Sequence, residues 1–204
     1  MTAITISRQL GSLGTQIGRE VAQRLGCRMV WREVINEAAR RAGALEVALA
    51  AIDDLGLLGL QPSPEALAAY ERAVCEVMED LVAAGEIVII GRAGQVILAD
   101  CPDVLHVRVV APPEVRMGRI ASRQGIPAAA ARAQMEESDR SRCAYLRQTY
   151  DVAWNDPQLY DLVLNTRRMT VEFAADLICQ AARATRKAAF RAAHQAAVDD
   201  EGGK

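Results

Sequence analysis

The run Ser7-Arg8-Gln9-Leu10-Gly11-Ser12-Leu13-Gly14-Thr15 has the residue types of an anion-binding turn. Gly11 and Gly14 accept backbone angles that other residues avoid. The amide N–H groups of Gly11, Ser12, Leu13, Gly14, Thr15 and Gln16 would then converge on an anion at the start of a helix, where unpaired donors and the dipole favour negative charge. The Thr15 hydroxyl is placed to reach a magnesium ion or a phosphate oxygen. The pattern G-x-x-x-x-G-K-[ST] is not met, because Gly14 stands at the lysine position and Thr15 at the Ser/Thr position. On these residues alone, two glycines equally well make a tight strand-to-helix turn and nothing more.

The elements around that turn suit either reading. Residues 3–7 (AITIS) read as a buried strand, and Ile17, Val21 and Leu25 recur every four residues to give a helix stripe that Gly26 stops. Residues 28–31 form a short strand and 32–41 a helix. Gly56, Gly59, Pro62 and Pro64 mark 43–64 as loop-rich. Ser63-Pro64-Glu65 has a capping hydroxyl and a first-turn proline, so a helix starts there and runs to Gly85. The unbroken apolar run Ile87–Ile90 predicts a strand covered on both faces. Residues 104–110 form the next strand, and Pro112-Pro113 opens a helix through Arg123. After the Gly125-Ile126-Pro127 break an Ala- and Arg-rich helix continues to about Tyr150. Residues 162–164 are a last strand, and Thr170 caps a closing helix. Strands alternating with helices predict an α/β fold with a parallel sheet between helices. Ligands then sit beyond the carboxyl ends of the strands, at 7–14, 91–95 and 111–114.

Composition narrows the class. The chain has 204 residues, half of them apolar, which suits one domain with a sizeable core. Its net charge of −2 calls for neither a nucleic acid nor a membrane surface as partner. Five scattered cysteines without a CxxC pair argue against a disulfide framework or zinc site and suit a reducing cytoplasm. No segment approaches the ~20 apolar residues of a membrane span, and no export signal is visible.

The opening motif resembles the cytidylate kinase-like family, a branch of the P-loop nucleoside monophosphate kinases in which S-R-[EQ]-x-G-S-x-G replaces the usual loop. The similarity continues through Ile89-Ile90-Gly91-Arg92-Ala93-Gly94, His106–Pro112, Glu114–Arg123, Ser138-Asp139-Arg140-Ser141-Arg142-Cys143-Ala144-Tyr145 and Tyr160–Thr166. The resemblance implies a single kinase-like domain over 1–190, with a helical lid at about 124–150, an acceptor-binding region at about 32–64 and a polar tail at 191–204. It also implies ATP and Mg²⁺ as cofactors and a small-molecule nucleotide as substrate.

Phosphoryl transfer needs positioning and positive charge on the phosphates. By resemblance, Arg92 binds the monophosphate acceptor, Arg119 and Arg123 lie on the ATP side, and Arg140 and Arg142 are the lid arginines that neutralise charge as it moves. Arg32 and Asp139 join the acceptor set, and Thr15 the metal. Arg8, Arg147 and Tyr145 are weaker candidates. Asn165-Thr166 stands near the nucleotide or simply turns the chain, and Trp154 and Tyr160 read as core plugs.

Three departures stand out. Cytidylate kinases proper carry aspartates where Ile90 and Ala93 stand, and many relatives have an aspartate where this chain has Trp31. Three readings follow: an ATP- and Mg²⁺-dependent kinase acting on a nucleoside monophosphate or related small molecule; a catalytically inactive nucleotide-binding sensor or regulatory module; or a helical interaction protein with a vestigial sheet. The apolar stretch 55–60 offers a possible homodimer contact.

Overall fold

The structure, a computed structural model, describes residues 3–43 and 63–185. The greater part of the expected acceptor-binding region, the 55–60 stretch and the 191–204 tail lie outside the described residues.

Strand β1 (Ala3–Arg8) is central, with β3 (Ile87–Ile90) and β4 (Val104–Val110) on either side. β2 (Arg28–Val30) extends the sheet beyond β3, and β5 (Leu162–Asn165) beyond β4. The order is 2-3-1-4-5 and every pairing is parallel. Helices α1 (Gly14–Leu25), α2 (Arg32–Ala42), α3 (Pro64–Ala83), the short α4 (Gly94–Ile97), α5 (Pro113–Gln124) and α6 (Ala128–Tyr150) follow in chain order. Residues 171–185 form a further helix, α7.

Period-two side-chain alternation divides the sheet between two cores. Ile4, Ile6, Val88, Ile90, Val107 and Val109 face α1 and α7, where Ile17, Val21 and Ile178 meet them. Ala3, Ile87, Ile89 and Val104 face α2 and α3, against Val34, Tyr70, Val74 and Met78. Such two-sided cover explains why β3 has no polar residue. The Ser63 hydroxyl caps α3 by accepting from Ala66 N at 3.2 Å, as its position before Pro64 predicts. Gly125, at φ +66°, ends α5 and lets α6 fold back on it, with Ile120, Ala131 and Met135 packed between the two helices.

The α2/α3 side of β1 and β4 is less apolar. Thr5 and His106 are register partners, and Thr5 Oγ1 lies 2.7 Å from His106 Nδ1. His106 Nε2 lies 3.2 Å from the Leu98 carbonyl, which only accepts. Nε2 therefore carries the proton, and Nδ1 accepts from the Thr5 hydroxyl. Burial lowers the His106 pKa below 6.5, although Asp161, whose carboxylate accepts from His106 N at 2.7 Å, works in the opposite direction. With the folded pKa lowered, the unfolded chain takes up the proton first as pH falls. Stability is thus fully present above about pH 6.5 and declines as pH drops below it. Urea midpoints at pH 8 and pH 5 are expected to show that decline, and His106→Gln to reduce it.

Candidate phosphate-binding cleft

β1 delivers the chain to the carboxyl edge of the sheet. Gln9 adds a bond beyond the strand, N to Val109 O at 3.1 Å, and its side-chain oxygen accepts from Ala111 N at 3.2 Å. The loop is thereby tied to the end of β4 before it turns. Gly11 makes the turn at φ +80°, and a Cβ there would lie 2.8 Å from the Arg116 carbonyl oxygen on α5. Glycine is required by both angle and space. Leu13 adopts φ 68° and is the N-cap of α1. Its carbonyl accepts from Ile17 N at 3.0 Å, and helix geometry leaves the N–H groups of Gly14, Thr15 and Gln16 without intrahelical partners. They open on a cleft of about 750 Å³, also lined by Arg8, Trp31, Arg119, Arg123 and Arg142. Three bare amides, a helix N-terminus, the Thr15 hydroxyl and cations from several elements fit a polyphosphate.

The expected Ser12 contact requires correction. Ser12 is fully buried, and both its amide (3.2 Å) and its hydroxyl (2.8 Å) donate to the Gln9 carbonyl. It braces the turn from inside, where no ligand reaches it.

The arginines separate into groups. Arg142 reaches the cleft from α6, donates to Ser138 Oγ and lies 5.9 Å from the centre of the Trp154 ring. Arg123 is exposed at the rim. Arg119 lines the cleft but also ties the loop to the end of β5, donating to Thr166 Oγ1 (2.9 Å), Thr166 O (2.7 Å) and Gly11 O (3.3 Å). Burial lowers its pKa. Thr166, which the sequence placed near a nucleotide, donates to Ser12 O at 2.9 Å. Asn165 turns the chain by accepting from Arg167 N at 3.0 Å.

Two expected site residues point elsewhere. Arg140 is largely solvated and pairs with Glu137 at 2.6 Å on its own helix, outside the cleft lining. Asp139 gives both oxygens to Arg116 (3.1 and 2.7 Å), whose side chain is 4% exposed. Arg116 also reaches Leu10 O at 3.4 Å. Asp139 therefore joins α6 to α5 and, through Arg116, to the loop, and is not available as an acceptor ligand. Arg116 carries no signal of its own in the sequence, since the resemblance points to Arg119 and Arg123 on the same helix. Arg116 lies one turn before Arg119, on the stripe that faces the loop.

Arg92 is outside the lining of this cleft. It follows β3 in a corner where three successive residues, Gly91, Arg92 and Ala93, have positive φ of 75°, 58° and 55°. Its guanidinium donates to Tyr70 OH at 3.3 Å and lies near the Tyr70 and Tyr145 rings at 5.8 and 5.3 Å, while its buried Nε has no partner. The Gln95 Nε2 nearby in sequence is buried and equally unpartnered. Arg32, exposed, lies 5.1 Å from the Trp31 ring.

The missing aspartates have structural counterparts. Ile90 is fully buried and presses on Gly18, where a Cβ would lie 2.6 Å from Ile90 Cδ1. Ala93 packs with Leu146 and Trp154. Trp154 and Tyr160 are core residues, as their setting in the sequence suggests, but polar ones: Trp154 Nε1 donates to Ser7 Oγ at 2.8 Å, and buried Arg108 donates to Tyr160 OH at 3.0 Å and to Trp154 O. Among the described residues no group of three or more His, Cys, Asp or Glu side chains is placed to hold a metal ion, and no helix is long and apolar enough to cross a membrane.

This architecture has known counterparts. A protein of Eubacterium ventriosum superposes with a TM-score of 0.71 at 19% identity, over 90% of this chain and 99% of that one. A gluconokinase of Sinorhizobium meliloti superposes at 0.55 and 13% identity, over 93% and 97%. At such identities they establish the fold alone, a parallel sheet between helices that this chain shares with a gluconokinase. In sequence, the cytidylate kinase of Methanopyrus kandleri is 30% identical over 169 residues, which are 81% of this chain and 84% of the relative. The family model described as "Cytidylate kinase-like family" matches residues 3–168. With that match spanning the loop, the sheet and both helices that frame the cleft, this chain belongs to the cytidylate kinase-like family.

Proposed function

We propose that the protein is an ATP- and Mg²⁺-dependent kinase that phosphorylates a nucleoside monophosphate of cytidylate type, or a related small molecule. The observation that carries this reading is the convergence in one cleft of the open Gly14–Gln16 amides with Arg142 from α6 and Arg119 and Arg123 from α5. The name of the Methanopyrus relative supports the acceptor class.

On this reading the amides of Gly14, Thr15 and Gln16 hold the β- and γ-phosphate oxygens. Arg123 and Arg119 bound the nucleotide side of the cleft. Arg142 offers a guanidinium toward the charge that develops on the transferred group. Thr15 Oγ1 is the ligand for magnesium, which when bound neutralises phosphate charge. Arg92, with Tyr70 and Tyr145 around it, is the acceptor-phosphate residue.

A coupled ADP-release assay across nucleoside monophosphates and small phosphate acceptors tests the proposal. ADP formation dependent on one acceptor is the expected result, and ATP binding without turnover on any acceptor would sink it. The second reading, a nucleotide-binding regulatory module, is favoured by one observation: Ile90 and Ala93, both buried in apolar surroundings, occupy the two positions where cytidylate kinases proper carry acids.

A further inference from the structure

We infer that Arg8 is a phosphate-contacting cation of this loop and occupies the place that a loop lysine would take, with Trp31 as its seat. The inference rests on the phosphate-site reading proposed above and adds the residue that supplies the charge.

Space is the first argument. Gly14 stands at the lysine position of the loop. A Cβ built on Gly14 would collide with Arg8 Cβ, lie 3.0 Å from Arg8 Cγ and lie 3.3 Å from Val109 Cβ. The stem of Arg8 thus fills the volume in which a lysine side chain at 14 would begin. The two positions exclude each other sterically, so a cation can enter from the strand or from the helix but not from both.

Direction is the second. From the end of β1, Arg8 extends to the end of β3, where its Nη1 lies 2.7 Å from the position of a Cβ on Gly91. Gly91 has φ +75°, an angle that calls for glycine, and the Arg8 tip takes up the space a side chain there would enter. The guanidinium carbon lies 5.5 Å from the centre of the Trp31 ring, and Arg8 and Trp31 line the same cleft as the Gly14–Gln16 amides.

Charge is the third. A carboxylate at position 31 would hold Arg8 by cancelling its charge. An indole holds a guanidinium by its ring quadrupole and brings no charge of its own. With Arg32 also 5.1 Å from the ring, Trp31 gathers two guanidinium groups at one face. A planar, permanently charged fork suits two phosphate oxygens at once.

The test is calorimetric titration of the full chain with sodium tripolyphosphate, which carries no base and no acceptor. Wild type is expected to bind. Arg8→Met is expected to bind about tenfold more weakly or worse, and Arg8→Lys to recover much of that loss. Arg8→Gly removes the obstruction at position 14, so the double variant R8G/G14K is expected to bind at least about fivefold more tightly than R8G alone. Because a variant can fail through folding, the wild-type chain is also labelled with phenylglyoxal and mapped by mass spectrometry. Saturating tripolyphosphate is expected to protect Arg8. Wild type that binds tripolyphosphate, with R8M binding equally well or Arg8 labelled at the same rate in its presence, overturns the Arg8 assignment and leaves the phosphate-site reading standing. Wild type that does not bind tripolyphosphate overturns both.

Discussion

A chain carrying Asp139→Ala is expected to lose about 3 kcal/mol of stability, seen as a lower urea midpoint with an unchanged slope. The reason lies in what remains. Arg116 is buried between α5, α6 and the loop, and its Nε already lacks a partner. Both Asp139 oxygens bind it, so their removal leaves a guanidinium inside the protein with the Leu10 carbonyl as its remaining acceptor. Removing one member of a buried pair is far more damaging than removing both, because the uncompensated charge is the main cost. The double variant R116L/D139A is therefore expected to be more stable than D139A. A midpoint for D139A within error of wild type would mean that Arg116 escapes to water, and that α6 is not tied to the loop in the way its position suggests. Asp139 itself keeps 24% side-chain exposure, which sets the estimate at the low end of the range for such pairs.

For Arg142→Met the expected result is a fall in kcat of about 100- to 1000-fold, with ATP affinity changed only a few-fold. Arg142 is held in place before any ligand arrives, by the Ser138 hydroxyl and the Trp154 ring. A donor already oriented toward developing charge needs no reorganisation during reaction, which is where electrostatic catalysis gains most. Arg140→Met serves as the contrast. Arg140 is 65% exposed and paired with Glu137, so its loss is expected to change kcat less than about threefold, since exposed pairs contribute little. Equal losses for the two variants would show that α6 shifts enough to bring Arg140 into the cleft. An unchanged rate for R142M would remove Arg142 from the reacting phosphate.

Much of the fold was legible because the relevant signals are local. The unbroken run Ile87–Ile90 had to be a strand covered on both faces, and it is. The Ser63 cap and the Gly125 break fall where their backbone preferences put them. The loop was legible as a sequence of glycines at the right spacing before a helix. What local signals could not supply was which side chains face inward across two elements. Ser12 looked like a ligand as one of the amides from Gly11 to Gln16, yet the turn rotates both its donors toward Gln9. Asp139 looked like an acceptor-site acid, yet α5 and α6 cross so that it meets Arg116, 23 residues away. Arg8 looked the weaker candidate because its proposed role depends on the space above Gly14, a property of strand and helix together that neither segment reveals alone.

The left-handed corner at Gly91-Arg92-Ala93 has a consequence for how the molecule would respond to heat. Residues other than glycine resist that geometry by roughly 1–2 kcal/mol each, so the corner has no inherent tendency to persist. Its outside supports include Gly91 N on Ile6 O at 3.0 Å, Gly94 wedged against Thr5, Ala93 lodged beside Trp154, and Arg92 on Tyr70 and Tyr145. As those supports begin to loosen, Arg92 would lose its aim while most of the sheet was still intact. With Arg92 as the proposed acceptor-phosphate residue, inactivation would then run ahead of melting, giving the protein a thermal ceiling for work lower than its ceiling for structure.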